Sequence, residues 1–326
     1  MEKMTKSILV GSSLAAVGLS LAGVAHAATT RYFVNVALNR EAPRHTGGAG
    51  QKISGMETDE RWLRLRARAA EHLRQKDCET VQTLGRENVK LVGHWLEHPR
   101  PKRVIVAMHG WRSGWCQDFG FVVDFWQENG CSILFAEQRG QGQSGGDHMG
   151  FGLLERHDCI SWVNWVNECC GDQLPVYLCG VSMGASTVLM AAGLELPENV
   201  RGIMADCGYT SPEAIWKYVA RDNLGLSYGS RKSAVNGLCR RKIRVGIGDY
   251  SCVDAMAECQ VPVLFVHGTE DRFVPIEMTY ENYKACSGPK RLFVVPGAGH
   301  GMSYLVDTDG YQKAMKSFWE EFDGGR

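Results

Sequence analysis

The sequence has no excess of charge of either sign: 36 Lys and Arg stand against 36 Asp and Glu. Without a basic stripe to meet phosphates, nucleic-acid binding is excluded as the main role. It also lacks a C-x-x-C pair, so neither a thioredoxin-like centre nor a zinc site is indicated among its 12 cysteines. Internal repeats and long low-complexity tracts are missing, which leaves one large domain as the simplest architecture for 326 residues, 44% of them hydrophobic. A dinucleotide site is not supported either. The glycine-spaced stretch from Gln138 to Gly146 follows a strand, but no acidic residue closes a βαβ unit at the required distance. A tight loop shaping the rim of a site suits it better.

What is present begins with an unusual N-terminus. Lys3 and Lys6 precede an uncharged run, Ser7 to Ala27, which ends Ala25-His26-Ala27 in the manner of an A-x-A cleavage site. Residues 1–27 are expected to be a signal peptide or, if retained, a membrane anchor through residues 7–27. Either places the folded part outside the cytoplasm, extracellular or in the cell envelope. Residues 28–76 are assigned to a tether and an N-terminal helix, the helix falling at about 59–76. Residues 77–326 form the main domain. Cys131, Cys179 and Cys207 sit in or beside apolar runs and suit buried thiols. Cys116, Cys159, Cys239, Cys252, Cys259 and Cys286 could pair in an exported protein, in an order that spacing does not fix.

Within the main domain, apolar β-rich runs at Val104–Met108, Ser132–Ala136, Val176–Cys179, Gly202–Ala205, Val263–Val266 and Leu292–Val295 alternate with helical stretches at about 115–129, 152–170, 183–195, 277–286 and 309–322. The strands are apolar without alternation, which predicts an α/β fold: a mostly parallel, doubly wound sheet with helices on both faces. Residues 211–258 hold no clear strand and are expected to insert as a small cap over the strand ends.

Gly180-Val181-Ser182-Met183-Gly184 lies between a strand and a helix, the setting in which G-x-S-x-G marks a nucleophile elbow. A sharp turn there demands small neighbours, supplied by Gly180 and Gly184. It raises the Ser182 hydroxyl at a helix N-terminus, where free N–H groups favour developing negative charge. A serine needs a base. His300, flanked by Gly299 and Gly301 after the last strand run, is the candidate, ahead of His148, His157 and His267. The acid that fixes the imidazole is assigned to Asp271, beyond the Val263–Val266 run, with Glu270 and Asp206 as alternatives; the order Ser…Asp…His suits the elbow motif. The oxyanion donors are assigned to the backbone N–H groups of Met183 and Trp111, with Arg112 as the alternative to Trp111. Trp111, Trp115, Trp216 and Tyr218 could line an apolar pocket.

His109-Gly110, Arg139-Gly140-Gln141-Gly142-Gln143-Ser144, Gly180–Gly184, the run from His267 to Pro275 and Gly299-His300 resemble the α/β-hydrolase superfamily over about residues 89–322. Phe151–Arg156 and Asp206–Pro212 are further similar to a group of bacterial exported or membrane-anchored hydrolases, esterase-like or serine-aminopeptidase-like. The resemblance implies an α/β-hydrolase fold, a Ser182–His300–Asp271 triad and a small-molecule ester or amide substrate. Gln138 departs from the Asp that relatives often carry before Arg-Gly. No metal or organic cofactor is implied, since triad and oxyanion donors complete the chemistry. Oligomeric state is not encoded in any motif. Ester cleavage through an acyl-enzyme is the favoured reading. Peptidase or amidase action, acyl transfer and a non-enzymatic binding module are the alternatives.

Overall fold

The six continuous apolar runs become the parallel heart of an eight-stranded sheet in the computed structural model, which describes residues 23–41 and 60–324. The strands are β1 (Glu79–Leu84), β2 (Lys90–Leu96), β3 (Arg103–Met108), β4 (Cys131–Glu137), β5 (Val176–Val181), β6 (Val200–Asp206), β7 (Val263–Gly268) and β8 (Lys290–Val295). Their spatial order is β1-β2-β4-β3-β5-β6-β7-β8. The pairs β1–β2 and β2–β4 are antiparallel; every other pair is parallel. β1 and β2 were not predicted. The first is an edge strand with four of its six side chains polar, and the turn between the two uses left-handed Glu87 and Asn88 instead of glycine.

Because side chains alternate along a strand, each central strand feeds two cores. Val104, Val106 and Met108 of β3 point into one, with Leu178 of β5 and Phe265 of β7. Ile105 and Ala107 point into the other, with Cys179 and Met204. The first core is covered by the helices α5 (Glu155–Cys170) and α6 (Met183–Ala191). The second is covered by α2 (Glu60–Arg74), α3 (Trp115–Phe119), α4 (Val123–Glu128) and α12 (Thr308–Phe322). α12 shows why the helices adhere: Tyr311, Met315, Phe318 and Trp319 recur at helical spacing and are all buried. Each such side chain contributes about 1.5–3 kcal/mol by leaving water.

Two boundaries differ from the sequence reading. Residues 28–41 were assigned to a tether, yet 23–38 are helical (α1), and Val34 and Leu38 are fully buried in the first core. An Ala- and Thr-rich segment looks like a linker, but its Phe33, Val34, Ala37 and Leu38 share one helical face. Residues 42–59, the Gly-rich stretch of the expected tether, and residues 1–22 lie outside the described residues. The insertion after β6 contains α7 (Pro212–Tyr218), α8 (Lys232–Ile243) and α9 (Cys252–Glu258). α9 packs on α6 and on α10 (Ile276–Ala285), so it belongs to the layer covering the sheet and not to the cap. All 12 cysteines lie among the described residues, and none is joined in a disulfide. Among the described residues no helix is long and apolar enough to cross a membrane.

Candidate active site

β3 lies between β4 and β5, so the chain departs from it to opposite sides of the sheet. A crevice opens at such a switch point, beyond the carboxyl ends of the strands. The loop after β3 brings Gly110 and Trp111 to it, and the turn after β5 brings Ser182. Loops after β7 and β8 add Phe273 and His300.

Ser182 has φ 57° and ψ −117°, a strained conformation for a residue with a side chain. Close packing holds it there. A Cβ on Gly180 would stand 2.2 Å from the Gly184 carbonyl oxygen, and one on Gly184 would stand 1.8 Å from that of Met108. Both predicted elbow glycines are therefore sterically required. The Ser182 N–H donates to the Asp206 carbonyl at 2.9 Å, tying the elbow to β6.

Ser182 Oγ lies 2.9 Å from His300 Nε2, and His300 Nδ1 lies 2.7 Å from Asp271 Oδ2. A carboxylate only accepts, so Nδ1 carries the proton and Nε2 is free to accept the serine hydroxyl. Asp271 Oδ1 accepts from the Phe273 and Val274 N–H groups, each at 2.9 Å. Burial alone would raise this carboxyl, but the charge of His300 and hydrogen bonds from His267 and His300 outweigh it and hold Asp271 well below its ordinary range. The alternative acids take other roles. Glu270 is exposed, and Asp206 accepts from Ser303 Oγ at 3.0 Å. Burial pushes Asp206 up.

Of the two residues assigned as oxyanion donors, Trp111 lies in the loop after β3 and Met183 directly follows Ser182. Met183 opens α6, so its N–H is one that a helix leaves unpaired. The Trp111 N–H makes no hydrogen bond among the described residues, whereas that of Arg112 is taken by Gln141 Oε1 at 2.7 Å. Trp111 is thus free to donate and Arg112 is not. The Gln141 contact is also what the glycine-spaced loop does at the rim.

Three supporting residues carried no sequence signal for these roles. Asp118 accepts from the Gly110 N–H at 2.7 Å, Ser113 Oγ at 2.6 Å and Arg66 Nη2 at 2.5 Å, fixing the loop that presents Trp111. His267, expected to be a packing residue, is fully buried; its Nε2 lies 2.9 Å from the Val274 carbonyl and 3.2 Å from Asp271 Oδ2. It steadies the carboxylate. Gln138, the departure from relatives, accepts from Thr187 Oγ1 at 3.1 Å and donates to the His109 carbonyl, joining β3, β4 and α6. His148 and His157 lie away from Ser182, beside Lys242 and Arg86 respectively.

Asp271, His300 and Cys207 converge closely enough to share an ion. Burial pushes the Cys207 thiol well above its ordinary value, however, and a protonated thiol is a poor ligand. The first two groups are already engaged with each other.

Beside Ser182 runs an apolar pocket walled by Phe33, Val36, Ala37, Trp111, Phe151, Ile215, Trp216, Val219 and Phe273. Trp111 and Phe273 border both spaces. Of the four aromatic candidates, Trp111 and Trp216 are wall residues. Trp115 instead stacks on His94 at 4.2 Å, and the Tyr218 hydroxyl lies 3.4 Å from the Arg272 carbonyl.

The arrangement of strands and helices is similar to that of solved structures. The Pyrococcus furiosus esterase Pf2001 superposes with a TM-score of 0.63 at 19% identity, covering 76% of this chain and 92% of that one. The chain has the α/β-hydrolase fold. An acylaminoacyl peptidase of Pyrococcus horikoshii superposes with a TM-score of 0.55 at 15% identity, over 78% of this chain and 43% of that one. Residues 99–222 match the family described as serine aminopeptidase, S33. The uncharacterized protein YqkD of Bacillus subtilis is 24% identical over 230 residues, 71% of this chain and 75% of its own length. YfhR of Escherichia coli K12, also uncharacterized, is 24% identical over 251 residues.

Proposed function

We propose that this α/β-hydrolase cleaves carboxylic esters through an acyl-enzyme on Ser182. The observation that carries the reading is the unbroken relay from Ser182 Oγ through His300 to Asp271, opening beside a pocket with apolar walls. His300 takes the serine proton as Oγ attacks the carbonyl carbon. The tetrahedral oxyanion is held by the N–H groups of Trp111 and Met183, each worth about 3–4 kcal/mol in comparable sites. Collapse expels the alkoxide, which leaves with the proton from His300. Water then repeats the sequence on the acyl-enzyme and frees the acid. No cofactor enters these steps.

The serine aminopeptidase description favours a second reading, amide cleavage next to a free α-amine. Such an amine needs a carboxylate. The walls of the apolar pocket carry none, and Asp118 beside Ser182 is committed to Arg66, Ser113 and Gly110. Glu213 in the cap is paired with Lys232 at 2.8 Å. Ester cleavage is therefore preferred over peptidase action. The test is a panel of chromogenic esters beside aminoacyl amides, with wild type and Ser182→Ala. Ester turnover that disappears in Ser182→Ala is the expected result. Fast amide cleavage with negligible ester cleavage would overturn it.

Export is proposed on the composition of residues 1–27 alone, either cleaved or retained as an anchor. The mass of the mature N-terminus decides between them.

A further inference from the structure

The reaction scheme assigns nothing to α1, yet α1 supplies three of the nine wall residues of the apolar pocket. Phe33 is the largest of them. Its ring meets Trp216 edge-on at 5.5 Å, and Trp216 in turn meets Phe151 at 5.2 Å. The pocket that they help to wall offers about 30 Å³, room for no more than a couple of solvent molecules. A longer chain entering from Ser182 would therefore run into Phe33, Phe151 or Trp216.

The roof is fastened to the same loop that presents the oxyanion donor. Trp111 Nε1 donates to the Ala37 carbonyl at 2.9 Å. Arg112 donates to the carbonyls of Val36 at 2.8 Å, Asn39 at 2.6 Å and Arg40 at 3.1 Å. The Val36 and Ala37 carbonyls lie in the last turn of α1, where a helix leaves its oxygens without partners, and those of Asn39 and Arg40 lie just beyond it. Arg40 reaches on to the Ser144 carbonyl at 2.6 Å, and the Met149 N–H donates to Leu38 O at 2.7 Å. The segment from Val36 to Arg40 is thus tied down over the site, and Phe33 sits one helical turn before it. Opposite Phe33 the wall is equally constrained. Phe151 has φ 53°, held by Glu155, whose carboxylate accepts the N–H groups of Gly150 at 2.5 Å and Gly152 at 2.8 Å. With the far wall fixed, the size of residue 33 determines the depth.

We propose that Phe33 sets the length of the acyl chain that this enzyme accepts, residues 31–41 being the roof of its acyl pocket. This rests on the reading of Ser182 as the acylated nucleophile. The substrates would be esters of short, uncharged acids.

The test uses the full chain as wild type, Phe33→Ala, Phe33→Leu and Phe33→Trp, each checked for cooperative melting. Kinetics are measured on p-nitrophenyl esters with acyl chains of increasing length, and Ser182 labelling rates are measured with alkyl phosphonates of matching lengths. Each methylene that gains or loses its place changes selectivity at least about tenfold. Phe33→Ala and Phe33→Leu should move the optimum to longer chains and raise the long-to-short ratio of kcat/KM by about tenfold or more. Phe33→Trp should move it to shorter ones. Folded variants that keep the wild-type optimum would overturn the proposal while Ser182-dependent turnover stands. Turnover that survives Ser182→Ala, or no labelling of Ser182 by any phosphonate, would overturn both readings together.

Discussion

Replacing Asp271 with Asn separates geometry from chemistry at the centre of the site. Asp271 Oδ1 accepts two backbone N–H groups, from Phe273 and Val274. In the variant an oxygen must stay there, because an amide NH₂ would face two donors and leave both unpaired, at about 1–3 kcal/mol each. The NH₂ is therefore turned toward His300 Nδ1, where it can only donate. His300 must then carry its proton on Nε2, facing Ser182 Oγ, and a protonated Nε2 cannot accept the serine proton. The fold survives and the base is lost. The wrong tautomer costs about 10⁴-fold in kcat in a comparable triad, or about 5 kcal/mol of transition-state stabilisation. Steady-state ester kinetics near neutral pH, with a melting curve for each variant, measure this. Glu270→Gln, an exposed neighbour, should leave the rate unchanged. A folded Asp271→Asn enzyme less than about tenfold slower than wild type would refute the assignment.

Other outcomes follow from the same geometry. Gly184→Ala should destabilise the chain by about 3 kcal/mol or more, since its Cβ would meet backbone at 1.8 Å with no flexible neighbour to yield; the urea midpoint reports it. Because the folded Asp271 carboxyl lies below its unfolded value of 3.8, its stabilising contribution is full above about pH 4. It is lost as pH falls toward the folded value. Acid titration of melting temperature should accordingly show the gap between wild type and Asp271→Asn closing below pH 4, and a gap that widens on acidification would contradict the shift.

How much was legible depended on whether a residue's role is set locally. The five inner parallel strands could be read because strands buried on both faces are apolar without interruption, as in Val104–Met108; β8 is an edge strand, yet its Leu292–Val295 run is apolar as well. The elbow could be read because its steric demand lies within five residues, and the triad because its order along the chain is tied to strand ends. β1 escaped because an edge strand needs only every second side chain to be apolar, and ETVQTL barely shows that. Asp118 and His267 escaped because each works through a partner distant in sequence, Arg66 in one case and Asp271 with Val274 in the other. α1 was misread for a different reason. Its Ala- and Thr-rich composition is that of a linker, and its apolar face shows only against the core that buries Val34 and Leu38 and the groove between Trp111 and Trp216.

Ser182 is the one residue that should become covalently modified in the reaction. Incubation with an alkyl phosphonate, followed by intact-mass measurement and peptide mapping, tests it most directly. One adduct, on Ser182, lost in Ser182→Ala and slowed in Asp271→Asn, is the predicted result. An adduct elsewhere, or one that persists in Ser182→Ala, would contradict it.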